Sequence, residues 1–160
     1  MEILTHKKES NSESDPGPQI PSELPILPLR GTVVYPLTVI PLNVAQARSL
    51  KLVDDASTSS ARIVGLVTSK DEKIEEPGAD DVYTTGTAAI IHRLLRAPDN
   101  TVRLIVQGIE RIRIKEFTAT EPYLKANVEV IRESVEKTTE IEALMRNTIE
   151  FFRRLVSLAP

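Results

Sequence analysis

The chain has 160 residues with 41% hydrophobic and 4% aromatic content, enough for one domain with an appendage, or two small lobes, around an aliphatic core. A formal net charge of −3 excludes a global electrostatic pull toward nucleic acid or anionic membrane. With no cysteine, a disulfide scaffold, a zinc–thiolate centre and a thiol nucleophile are excluded, and a reducing compartment fits.

The first segment, 1–23, has no signal-peptide core. From Lys7 to Glu23 it is rich in Ser, Glu, Pro and Asn, so it is expected to be disordered. No run approaches the roughly 18 apolar residues that cross a bilayer, so the expected setting is cytoplasmic with no membrane partner. The fold is expected to begin at Leu24. Leu24 to Arg30 and Val33 to Leu42 pack several prolines into apolar runs. Proline removes a backbone donor, which places these runs on a sheet edge, at a bulge or in an extended crossing, with a bend near Tyr35, Pro36 and Leu37.

Asn43 is in position to cap a helix from about Ala45, with Leu50, Val53 and Ala56 inward, Leu52 flanking and Ser57 to Ser60 as the stop. Arg62 to Val67 reads as a buried strand, and Asp71 to Asp81 as an extended acidic loop turning at Pro77-Gly78. Thr85 to Leu95 is a strand, followed by a turn over 97–101 with Asn100 suited to a left-handed conformation. In the next strand Val102, Leu104 and Val106 share a face until Gly108 breaks it. The inward set then resumes at Ile112 and Ile114, which suits a bulge or corner. Tyr123 to Ile131 alternates cleanly as the last strand. From Thr139, whose spacing to Glu142 is that of a capping box, the period becomes helical. Ile141, Leu144, Met145, Ile149, Phe152 and Leu155 then form a wide apolar stripe that wants a partner.

Little in the chain reads as catalytic chemistry. Gly65 to Asp71 lacks the second glycine of a phosphate loop, since Lys70 stands there, and Gly65 suits a small position in a buried strand. His6 lies in the tail and His92 on a strand face. No His–carboxylate spacing suggests a metal, no serine sits in a nucleophile elbow, and the acidic loop lacks the alternating ligands of a calcium site. Arginines gather in the three-strand region, where Arg103, Arg111 and Arg113 are candidate nucleic-acid contacts on a basic sheet face. Without interleaved aromatics for stacking, outward polar positions of amphipathic strands are the simpler reading.

Three blocks together resemble the N-terminal domain of the bacterial Lon ATP-dependent proteases. They are Leu24 to Arg30 with Val33 to Pro36 and Val39 to Leu42; Gly86 to Ile91; and Arg103 to Ile114. The resemblance implies a mainly β (α+β) fold, a PUA-like six-stranded pseudo-barrel over 24–134 with one inserted helix. A C-terminal amphipathic helix over 135–160 would open a helical subdomain that the chain cuts short. It also implies a non-catalytic part of an ATP-dependent Ser–Lys endopeptidase, with no cofactor of its own; ATP and Mg belong to the parent enzyme. The implied partners are unfolded or damaged proteins and the other subunits of a Lon hexamer, with nucleic acid as the alternative.

A receptor for unfolded chains needs apolar contacts that tolerate many sequences. Tyr35, Pro36, Leu37 and Val39 are the first candidates for substrate binding, because proline-rich bends resist full burial. Leu94, Leu95, Phe117, Tyr123 and Leu124, at strand ends, are the second, and core packing is the competing reading for each.

Overall fold

A computed structural model describes residues 18–98, 101–132 and 138–158. Its elements are β1 (Glu23–Leu29), β2 (Val39–Val44), α1 (Ala47–Thr58), β3 (Ile63–Ser69), β4 (Val82–Arg96), β5 (Val102–Ala119), β6 (Lys125–Val130) and α2 (Thr139–Leu158). A 3-10 turn, Ala79–Asp81, precedes β4. The strands form one sheet in the order β2-β5-β4-β3-β1-β6, and a further β5–β6 pairing closes the last five into a ring. The result is a mainly β fold with six strands and two helices, closed but not a regular barrel.

β1 is not the edge strand or bulge that its prolines lead one to expect, but lies between β3 and β6. It divides its pairing: Glu23 to Pro25 pair antiparallel with β6, and Ile26 to Leu29 pair parallel with β3. Each stretch therefore carries a ladder on one side, which is what a strand containing Pro25 and Pro28 can sustain. Pro41 sits on β2, which pairs only with β5.

Two cores follow from the alternation of strand residues. In β3, Ile63 and Val67 face one side while Val64 and Leu66 face the other, so this strand reads as unbroken apolar sequence. Inside the ring lie Leu24, Ile26, Val67, Ile112, Ile114 and Ala126. The other face carries Leu27, Val64, Leu66 and Leu104, and α1 covers it with Leu52, Val53 and Ala56. A Cβ at Gly65 would come within 2.6 Å of Ile26 Cδ1 and 3.2 Å of Ile112 Cδ1. The glycine leaves room for the ring core.

β5 runs unbroken through Gly108, contrary to the expected stop. The bulge is present, however: Ala89 pairs with Gly108 and Ala88 with Glu110, leaving Ile109 extra. An extra residue turns the following side chains to the opposite face. Val102, Leu104 and Val106 therefore enter the α1-covered core, while Ile112 and Ile114, of the same parity, enter the ring core.

Five smaller expectations shift. Asn43 lies in β2 and caps nothing; α1 starts after Gln46, which makes no side-chain cap. Leu52 is buried, whereas Leu50 is half-buried. Pro77 is buried, so the acidic loop is partly folded onto the body. Thr138 rather than Thr139 caps α2, its Oγ1 accepting from the Ile141 amide at 3.2 Å. Ile20 packs against the ring core and the Val128 amide donates to Ser22 O at 2.8 Å, so ordered packing starts before Leu24. Asn100 and residues 1–17 lie outside the described residues.

Candidate functional site

β5 changes partner along its length. Residues 102–107 pair with β2 and residues 112–119 with β6. In the gap sits the turn Tyr35-Pro36-Leu37-Thr38. The Leu37 amide donates to Gly108 O at 2.9 Å, and the Gly108 amide donates to Thr38 O at 2.9 Å. Within the turn, Thr38 Oγ1 donates to Tyr35 O at 2.6 Å. The preceding segment is tied by Thr87 Oγ1 to Val34 O at 2.6 Å and Thr68 Oγ1 to Thr32 O at 2.8 Å. The backbone here is fastened from both sides, yet its side chains are not covered.

Leu37 is 82% exposed, Tyr35 64% and Val39 57%, with Pro36 half-buried and Val33 also exposed. Leu37 has φ +62, the left-handed region that normally favours glycine. With Pro36 fixing the second position, this is the geometry of a type II turn, whose third residue is usually glycine. A leucine here costs about 1 kcal/mol or more in backbone strain and gains no burial. Folding alone does not explain its presence.

The second-rank candidates separate. Leu95 is 59% exposed, Leu94 is half-buried against the α1-covered core, and Phe117 is half-buried against the ring core. Tyr123 and Leu124 are buried and leave the candidate set as core residues. Tyr123 Oη donates to Asp55 Oδ2 at 2.9 Å, linking the β6 approach to α1. Burial, then the hydrogen bond and charge of Asp55, push the Tyr123 phenol above its ordinary value. A raised folded pKa gives stability that is present below about pH 10 and is lost as pH rises through the folded value. Tyr123→Phe is therefore expected to cost about 1 kcal/mol at neutral pH. The deficit should shrink at alkaline pH, as urea unfolding at both pH values would show.

The basic region is not one face. Arg111 and Arg113 pair with Thr87 and Thr85 on the outer wall of the ring. Glu129 sits 3.5 Å from Arg113 and 2.8 Å from Lys115. The Lys115 hydrogen bond, helped by the charges of Lys115 and Arg113, holds the Glu129 carboxyl below the ordinary carboxylate range. Arg96 is drawn to Asp54 of α1 at 2.6 Å. Arg103 lies across the bulge and projects from the opposite sheet face, so it does not join Arg111 and Arg113. His92 is exposed and its ring meets Gln107 Oε1 at 2.7 Å, which makes it a sheet-face residue.

A cleft of about 500 Å³ separates Leu27 to Arg30 from Pro41 to Gln46. Pro28 and Pro41 each remove a donor from the strands flanking it, which blunts them against strand addition by another chain. Among the described residues no group of three or more His, Asp or Glu is placed to hold a metal ion. Also among them, no helix is long and apolar enough to cross a membrane. α2 buries none of its residues: Leu144, Met145, Ile149, Phe152 and Leu155 are all exposed, and Phe151 and Leu158 widen the stripe.

Comparison with known proteins agrees with this architecture. A family model for the ATP-dependent protease La (LON) substrate-binding domain matches residues 23–160. The Lon protease of Dictyoglomus thermophilum is 52% identical over 154 residues, 96% of this chain and 19% of that protein. That of Syntrophomonas wolfei is 41% identical over 137 residues, 86% of this chain and 17% of that protein. The chain thus spans about a fifth of the length of these relatives. The N-terminal domain of Mycobacterium avium complex Lon protease shares the fold, with TM-score 0.63 at 23% identity over 84% of this chain and 68% of that one. The Lon N-terminal domain protein from Xanthomonas campestris does likewise, at TM-score 0.61 and 23% identity over 84% and 73%. A family model matched over residues 23–160, with a relative 52% identical over 96% of the chain, shows that this chain belongs to the Lon substrate-binding domain family.

Proposed function

We propose that this domain captures unfolded or damaged polypeptides for an ATP-dependent Lon protease in the cytoplasm, through side chains presented by the turn at Tyr35 to Val39. The observation that carries this reading is Leu37, a strained residue on an anchored turn with 82% of its surface in water. Strain kept without burial marks a position maintained for contact. Unfolded chains differ from folded ones in their exposed apolar segments, and a small rigid apolar projection meets many such sequences. Cutting and unfolding belong to the ATPase and protease parts of the parent protein.

The exposed stripe of α2 supports a second role in joining the domain to its neighbours in a Lon hexamer. The nucleic-acid alternative is weakened because the bulge divides Arg103 from Arg111 and Arg113.

Leu37→Gly tests the capture site without harming the fold. Glycine accepts φ +62 without strain, so the thermal transition should hold or rise slightly. Affinity for a reduced and alkylated, permanently unfolded protein should fall about tenfold, the equivalent of losing much of one leucine contact. Unchanged affinity in this variant and in Tyr35→Ala would remove the turn from the binding surface.

A further inference from the structure

Beyond the ring, β2, the first half of β5 and the last part of β4 continue as a three-stranded sheet. One face of it rests on α1 and the other is uncovered. Register places Val39, Gln107 and Ile90 side by side on the uncovered face, then Pro41, Ile105 and Arg93. The third row is Asn43, Arg103 and Leu95. Val39 and Leu95, at opposite corners, are both more than half exposed. The assignment of faces is checked by Arg96, one residue after Leu95, which turns to the other side and meets Asp54 of α1.

This face has a distinct chemistry. Aliphatic side chains fill most positions, two guanidinium groups lie diagonally among them, and no carboxylate occupies any of the nine. Among the described residues no acidic side chain pairs with Arg93 or Arg103, while Arg96, Arg113 and Lys115 each have one. Among the described residues, acid is placed elsewhere: the Glu72 carboxylate is beside Gly31, Asp54 meets Arg96, and Glu129 meets Arg113 and Lys115. Two cations on an aliphatic surface, in a protein of net charge −3, form a local complement to apolar sequence that carries acid.

We propose that this face extends the capture surface from Val39 to Leu95 and selects extended segments in which aliphatic side chains are accompanied by Asp or Glu. The proposal rests on the capture reading above and names the class of segment preferred. Strands lie about 5 Å apart and residues on one face about 7 Å apart along a strand, so the patch accommodates roughly four or five residues of extended chain. None of the nine positions carries an aromatic residue and the His92 ring beside them is engaged by Gln107, so a base finds no row of rings to stack on and a polypeptide is the occupant argued here.

The experiment compares two unfolded peptides with the same aliphatic residues, one flanked by Glu and the other by Gln, by fluorescence anisotropy at low and high salt. Exposed charge pairs are weak, so the Glu peptide should bind the intact chain about three- to tenfold more tightly at low salt. That advantage should fade as salt rises. Arg93→Gln with Arg103→Gln should abolish the advantage and leave the Gln peptide's affinity unchanged, with the thermal transition unaltered. Equal affinity of the two peptides for the intact chain overturns the proposal, as does a preference that survives in the double variant. A single-stranded oligonucleotide that binds through these arginines while the peptides do not discriminate overturns it in favour of nucleic acid. If neither peptide binds, the capture reading itself falls. If both bind equally and lose affinity in Leu37→Gly, capture stands and only the acidic preference is lost.

Discussion

Replacing Gly108 by alanine is expected to lower the thermal transition by roughly 10 °C, a loss of about 2–4 kcal/mol in a domain of this size. A Cβ built there lies 2.2 Å from Tyr35 O, 3.0 Å from Tyr35 C and 3.2 Å from Pro36 Cα. These are backbone atoms, so no rotamer change relieves the clash and the turn must lift away from β5. Lifting breaks the two reciprocal hydrogen bonds between Gly108 and the turn, at about 1 kcal/mol each. Overpacking adds about 1–3 kcal/mol. Capture of unfolded protein should fall with it, because Tyr35, Leu37 and Val39 lose their fixed placement. Gly78→Ala is the control: its Cβ would meet only Asp81 Oδ2, at an ordinary 3.4 Å, and its transition should move little. A Gly108→Ala protein that melts within about 2 °C of the parent would mean the turn is not held as described.

The turn and the bulge were legible in the sequence for different reasons. Proline before an exposed apolar residue marks a bend locally, so Tyr35 to Leu37 were identified without tertiary information. The return of inward apolar residues at Ile112 marked an irregularity near Gly108, and the structure puts the extra residue at Ile109. What periodicity could not supply was the consequence of the bulge for faces. Arg103 and Arg111 share a parity, which joins them on a regular strand and separates them on a bulged one. The same flip hides the uncovered face, since its rows are assembled from three strands whose register no single-strand pattern contains.

Two other misreadings have a tertiary cause. Each proline forbids a two-sided ladder, so the sequence points β1 to an edge, a bulge or an extended crossing. The strand instead passes from one partner to the other within seven residues. Tyr123 and Leu124 looked like exposed strand-end residues, but α1 brings Asp55 to the Tyr123 hydroxyl and the ring core takes Leu124. Hydrophobicity alone does not distinguish a buried strand end from an exposed one. The glycine-type backbone at Leu37 likewise has no local signature, because leucine is an unexpected residue for φ +62.

Cutting the chain after Arg132 is expected to leave the melting of the barrel within about 2 °C and to abolish self-association. α2 contributes no buried residue, so its removal takes no packing from either core. A lone helix of 20 residues is marginal in water, and most helix stability in proteins comes from burying the apolar face. The stripe through Leu144, Ile149, Phe152 and Leu155 therefore makes helix formation and association one event. Far-UV helicity of the whole chain should rise with protein concentration, in step with its sedimentation coefficient. Ile149→Asp with Phe152→Asp, placing two charges in the middle of that stripe, should return the chain to a monomer with less helix and an unaltered barrel transition. Helicity independent of concentration, in a chain that stays monomeric throughout, would mean that α2 is stabilised by its own sequence and that its apolar face does not drive assembly. The opposite result sets α2 apart from the proposed capture surface: the turn is held rigid by β5 whether or not anything binds it, whereas the helix completes itself only against a neighbour.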